Sequence, residues 1–232
     1  MYNGYFSYYF DPTFLILIPA ILVGIWAQSK VNKTYEKYKK INIINGYTGE
    51  EIARMMLNEA GLFDVPIEVV NTRLGDHYDP KGRILRLSQD VYSGRTIAAA
   101  GIAAHEVGHA IQHKESYSPL AFRNSIFPVV NISSSLSWVI LFAGLIFSIK
   151  PLVYFGIALF SIVVIFQLVT LPVEFNASTR ALLILKGRNI LYADEAAGAA
   201  KVLDAAAMTY VAATLMAISQ LVRLIAITKR ND

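Results

Sequence analysis

Residues 96–114 read TIAAAGIAAHEVGHAIQHK. Ser93-Gly94 precedes the run, and the pattern predicts a helix from about 96 to 114. Its first half is almost wholly apolar, so the helix should be buried in a folded lobe or against a bilayer. Inside it lies His105-Glu106-Val107-Gly108-His109, an H-E-x-x-H pattern. Positions i and i+4 share a helix face, so two imidazoles can reach one ion. A catalytic Zn²⁺ takes three protein ligands and a water. Glu106 stands beside them as the general base for that water, whose pKa zinc lowers toward ~7. Unpaired His and Glu are costly on an apolar helix, which weighs against two solvated surface imidazoles. The chain has no Cys, so any zinc must be held by His and carboxylate.

Three residues compete to be the third ligand. His113 is eight positions beyond His105, about 12 Å along the axis, too far for one straight helix to bring all three imidazoles to one ion. The metzincin spacing would need a His at position 115, where this chain has Glu115. His77, in the loop GDHYDP, is geometrically free. Glu174, in LPVEFNAS, follows a segment that returns to the side of the H-E-x-x-H helix. Pro172 just before it suits a helix start, and Glu174 would project from the first turn. A carboxylate that merely stabilises that helix N-terminus is the alternative. Glu174 is modestly ahead, and the choice stays open on these residues alone.

The surrounding chain belongs in a membrane. Of 232 residues, 55% are hydrophobic and 16% charged, against about 45–50% and about 25% in soluble domains. The excess lies in long apolar runs. Residues 1–12, MYNGYFSYYFDP, are aromatic-rich and suit a membrane–water interface as well as they suit a loose tail. Residues 1–28 are taken as this tail plus a first transmembrane helix at 13–28. Lys30, Lys33, Lys37, Lys39 and Lys40 follow, the bias of a cytoplasmic flank. The N-terminus is then outside, and the protein is a multi-pass cell-membrane protein with a cytosolic catalytic lobe.

Residues 29–125 form that lobe, of mixed α+β character and zincin-like, in a mostly α protein with about four membrane helices. Thr48 and Glu51 make a capping box for a helix at about 49–60, ended by Gly61. PIEVV (66–70) and RILRLS (83–88) read as strands, with a turn at Asp79–Gly82. Residues 126–171 read as a transmembrane hairpin broken at Lys150-Pro151. Its Asn131, Ser133, Ser134, Ser135 and Ser137 favour helix packing over a substrate path. Residues 172–204 form a returning helical segment with the third-ligand candidate. Residues 205–232 hold a fourth apolar stretch, interrupted by Arg223, that either spans or lies in the interface.

The stretches LSQDVYSGRTIAAAGIAAHEVGHAIQH, LPVEFNASTRAL and VLDAAAMTYVAA resemble the YugP-like neutral zinc metallopeptidases of bacterial membranes. The resemblance covers nearly the whole chain, and a more distant one extends to the HtpX and CAAX-protease gluzincins. It implies that His105, His109 and Glu174 bind one zinc, that Glu106 is catalytic, and that the site faces the cytosol and hydrolyses peptide bonds. In the HtpX-like group an Asp sits four residues after the ligand Glu. Here that position is Ser178, with Asn176 two residues after Glu174.

The expected partners are the lipid bilayer and a polypeptide, unfolded or membrane-anchored, with no nucleic acid. A substrate strand is expected to pair with the edge formed by Arg83, Ile84, Leu85, Arg86, Leu87 and Ser88. His113, Arg180 and His77 are candidates for stabilising the oxyanion. His113, Asn176, Ser178, Arg180 and His77 are also candidates for orienting the ligands. Two rival classes remain. A site-2-type intramembrane protease would need an Asp-Gly setting, but Asp204 is followed by Ala. A zinc-binding scaffold or transporter would put ionisable groups inside the spans, where only Arg223 qualifies.

Overall fold

The computed structural model describes residues 11–230 apart from Arg73. The aromatic residues 1–10 lie outside the described residues. A 3-10 turn at Pro12–Leu17 leads into α1 (Ile18–Tyr38). Then come α2 (Gly49–Glu59), β1 (Ile67–Val70), β2 (His77–Asp79), β3 (Ile84–Ser88) and the short α3 (Gln89–Tyr92). The long helices follow: α4 (Ile97–Lys114), α5 (Ser118–Ile146), α6 (Lys150–Gly187) and α7 (Ala193–Arg230). Four helical stretches, Pro12–Tyr38, Ser118–Ile146, Lys150–Gly187 and Ala193–Lys229, are long and apolar enough to cross a membrane. The protein is a mostly α membrane protein with a small α+β lobe.

The helix boundaries have local causes. Thr48 accepts from Glu51 N–H (3.1 Å), and Glu51 Oε2 accepts from Thr48 N–H (2.7 Å), which completes the capping box. Thr96 caps α4 by accepting from Ala99 N–H (3.2 Å). α2, α4, α5 and α6 all end in a left-handed residue: Gly61, Ser116, Ser148 and Asn189. At each end the next N–H reaches back five residues, as Tyr117 N–H does to Gln112 O (2.9 Å), and closes a Schellman motif.

The chain divides into two compact units. One comprises residues up to Trp26, Arg123–Val169 and the chain from Tyr210 onward. Its core gathers Leu141, Val153, Phe160, Val164, Ala217 and Leu224. Trp138 packs edge-on against Phe160. Large apolar side chains such as Leu22, Ile25, Val139, Ile146 and Phe155 are exposed, which a bilayer satisfies and water does not. Ser133 and Ser137 are buried, in keeping with a packing role for the Ser-rich face. Arg223 donates to Asp11 Oδ2 (3.0 Å) and Thr13 Oγ1 (3.3 Å), so the charge inside the last apolar stretch is paired.

The other unit comprises Ala27–Phe122 and Thr170–Thr209. α4 runs through its core, with Ile52, Met56 and Leu57 of α2 and Leu85 and Leu87 of β3 fully buried among the same cluster. The three-stranded sheet has the order β1-β3-β2, with β1 parallel and β2 antiparallel to β3.

That order corrects the expectation for Arg83–Ser88. β3 is the central strand, so Ile84 to Arg86 pair with β2 while Leu85 to Ser88 pair with β1. Past the end of β2, Ser88 N–H is taken by Asp76 Oδ1 (2.7 Å). Arg83 is not in a strand but in a left-handed turn (φ 53°). No peptide can pair with this strand without displacing a neighbour. The expected helix start at Pro172 is also absent. α6 runs unbroken through Pro172, and the break before the last helix falls instead at 188–192.

Candidate metal centre

The site is assembled from α4 and α6. His105 and His109 project from one face of α4, their rings edge to face with centroids 4.7 Å apart. Glu174, from the middle of α6, points Oε2 at both, 3.3 Å from His105 Nε2 and 3.5 Å from His109 Nε2. One donor atom from each of the three lies within 4.8 Å of the others. Among the described residues no other His, Asp or Glu group converges in this way. Gly108 makes the approach possible. A Cβ there would sit 2.6 Å from the Ala177 carbonyl oxygen, so only glycine lets α6 lie this close to α4.

The outer nitrogens of both imidazoles are also engaged. His105 Nδ1 lies 3.1 Å from Ser178 Oγ, and His109 Nδ1 lies 3.0 Å from Gln112 Oε1. Gln112 is fully buried, and its Nε2 donates to Val173 O (2.8 Å) and Asn176 Oδ1 (2.9 Å). With both amide hydrogens spent on oxygens, Oε1 must accept, so His109 carries its proton on Nδ1 and turns the Nε2 lone pair inward. Asn176 Oδ1 also accepts from Arg180 Nε (2.7 Å), and Arg180 pairs with Glu115 Oε2 (2.6 Å).

This arrangement fits a zinc ion. Two imidazole lone pairs and one carboxylate oxygen converge, each imidazole is oriented through its far nitrogen, and no thiolate is required. Glu106, between the two His, is 8% exposed. Its Oε2 accepts from Tyr78 N–H (3.1 Å), which ties β2 to the site helix. Burial pushes the Glu106 carboxyl up to about 7, with Glu174 and Asp76 adding to the rise.

The other sequence candidates are placed as follows. Ser178 touches His105 directly, Asn176 reaches His109 only through Gln112, and Arg180 is one step further out. His113 Nδ1 is 2.9 Å from the buried Tyr78 hydroxyl. His77 is exposed on β2, with Nδ1 against Gly75 O (2.8 Å), and takes no part in the convergent group. Gln112, Tyr78 and Gly108 escaped the sequence reading. A buried-polar signal was available for Gln112, an uncharged polar residue one turn beyond His109 on an apolar helix.

Residues 13–229 match the family described as "Putative neutral zinc metallopeptidase". The chain is 48% identical over 212 residues, 91% of its own length and 94% of the relative's, to the "Putative membrane protease YugP" of Bacillus subtilis (strain 168). No solved structure matches the chain significantly. With a match over nearly its whole length and a convergent His-His-Glu group, the chain belongs to the family described as "Putative neutral zinc metallopeptidase".

Proposed function

We propose that this protein is a membrane-embedded zinc endopeptidase, with His105, His109 and Glu174 as metal ligands and Glu106 as general base. The observation that carries this reading is the convergence of the three donors beside a buried Glu106 whose one oxygen is held by Tyr78 N–H. When bound, zinc supplies Lewis-acid polarisation of the scissile carbonyl and acidifies the attacking water. Gln112 holds His109 in the ligand tautomer, and Ser178 orients the ring of His105. Glu106 takes a proton from water and delivers it to the leaving amine. The Tyr78 backbone contact limits which way its carboxyl can turn.

Of the oxyanion candidates, Arg180 is committed to Asn176 and Glu115, and His77 to Gly75 O. His113 is the donor we favour, since Tyr78 OH donating to Nδ1 leaves Nε2–H for the developing charge. The substrate is an unfolded or membrane-anchored polypeptide. The lysines after the first apolar run support an outside N-terminus and a cytosolic site.

The test pairs zinc content with hydrolysis of an unfolded protein by the detergent-purified chain. Glu106→Gln should keep about one zinc per chain and lose roughly 10²–10⁴-fold in rate, while Glu174→Ala should lose the zinc as well. Unchanged hydrolysis by Glu106→Gln would overturn the assignment.

A further inference from the structure

Away from the metal centre, α1 and α7 border a cavity of about 350 Å³ lined by Lys30, Lys33, Lys37 and Lys201, with Thr34 and Asp204. This volume lies within the roughly 300–1,000 Å³ range of ligand sites. Spacings of three and four residues put Lys30, Lys33 and Lys37 on one face of α1, an arrangement that destabilises a helix when the charges are left uncompensated. α7 adds a fourth cation and only one carboxylate, so the lining is strongly positive. Among the described residues, Lys33, Lys37 and Lys201 enter no ion pair, whereas nearby Lys39 is paired with Glu36 at 2.8 Å. Lys37 instead lies over the Tyr38 ring at 5.2 Å, which leaves its charge available to an anion.

The position along the chain says what anion this would be. Lys30 comes two residues after the apolar run 13–28, and Lys201 and Asp204 come just before the apolar run 205–228. Lys30, Lys33, Lys201 and Asp204 therefore lie within five residues of where an apolar stretch ends, about the depth of phospholipid headgroups. We propose that this cavity binds a phosphate group, supplied by an acidic phospholipid at the bilayer surface. Lys33 and Lys201 would grip it from the two helices, and Thr34 and Asp204 would meet headgroup hydroxyls. The proposal does not depend on the peptidase reading or on which face of the membrane is cytosolic.

The experiment compares thermal unfolding of the full chain in nanodiscs of phosphatidylcholine alone and of equal parts phosphatidylcholine and phosphatidylglycerol. The wild type should melt about 5 °C higher in the mixed bilayer. Lys33→Gln/Lys201→Gln should melt with the wild type in phosphatidylcholine, which reports its folding, and lose most of the shift. Lys81→Gln/Lys186→Gln removes the same charge from exposed positions elsewhere and should keep it. If the first double variant does not fold, Lys201→Gln alone takes its place and should lose part of the shift. Equal shifts in wild type and cavity variant, or equal losses in both double variants, would overturn the cavity as the site. A full shift on adding inorganic phosphate to phosphatidylcholine discs, abolished by the cavity variant, would overturn the lipid in favour of a soluble phosphate.

Discussion

Gly108 and Ala177 meet backbone to backbone, and that contact sets the distance between the two helices that build the metal centre. A Cβ at 108 would lie 2.6 Å from the Ala177 carbonyl oxygen and 3.2 Å from its Cα, with no flexible side chain to yield. Gly108→Ala must therefore push α6 outward and carry Glu174 and Ser178 away from His105 and His109. Overpacking of this kind costs about 1–3 kcal/mol. The expected outcome is a lower Tm together with zinc content well below that of the wild type. A variant that keeps full zinc would show that the helices can separate without moving Glu174.

Gln112 is the positioning residue with most to lose. Gln112→Leu keeps the volume but abandons His109 Nδ1–H, Val173 O and Asn176 at once. Loss of a partner that orients a ligand typically lowers metal affinity about 10–100-fold. Chelator competition on the variant should show this drop while helix content by circular dichroism is retained. Gln112→Glu, which still offers an oxygen to Nδ1–H, should recover part of the affinity.

Asp76 makes stability depend on pH in a particular direction. Its carboxylate accepts Ser88 N–H (2.7 Å) and Ser88 Oγ–H (3.0 Å), but burial raises its pKa more than these bonds lower it. The folded state then holds this proton more tightly than the unfolded state. Stability is lost as pH rises from the ordinary Asp value, about 4, through the raised folded value. Asp76→Asn removes that titration. The Tm of the wild type relative to the variant should fall as pH rises across this window, and a constant difference would contradict the burial argument.

Ser116 closes α4 in a left-handed conformation (φ 53°) that an L side chain adopts only at a cost. Ser116→Gly should stabilise the protein by about 1 kcal/mol, since the Schellman bonds from Tyr117 and Ser116 involve only backbone. Thermal unfolding at fixed detergent checks this, and peptidase activity should not change.

The legible parts of this molecule were those governed by local chemistry. The capping box at Thr48, the helix carrying the H-E-x-x-H pattern and the long apolar runs depend on neighbours within one or two turns, and all three follow from the order of residues. Glu174 converges with the two histidines, but the helix start at Pro172 that pointed to it does not exist. Pro172 looked like a helix start, but α6 absorbs it, because a proline inside a long helix costs one backbone hydrogen bond that surrounding packing can offset. The alternation in RILRLS marks a strand and says nothing about how many neighbours that strand has, so β3 could be taken for an edge. Gln112 and Tyr78 act through partners 61 and 28 residues away, Val173 and Glu106, and no local pattern carries that information.

The unit that holds the metal centre is not one stretch of chain but two, Ala27–Phe122 and Thr170–Thr209, and the apolar hairpin separates them in sequence. Glu174 rides on the same unbroken helix as the second arm of that hairpin. No single truncation can therefore free a soluble core with all three donors. A fragment ending before residue 170 keeps the two imidazoles and forfeits the carboxylate, and one that begins there does the reverse. The three donors cannot be lifted out as one contiguous stretch of chain without the apolar hairpin that lies between them.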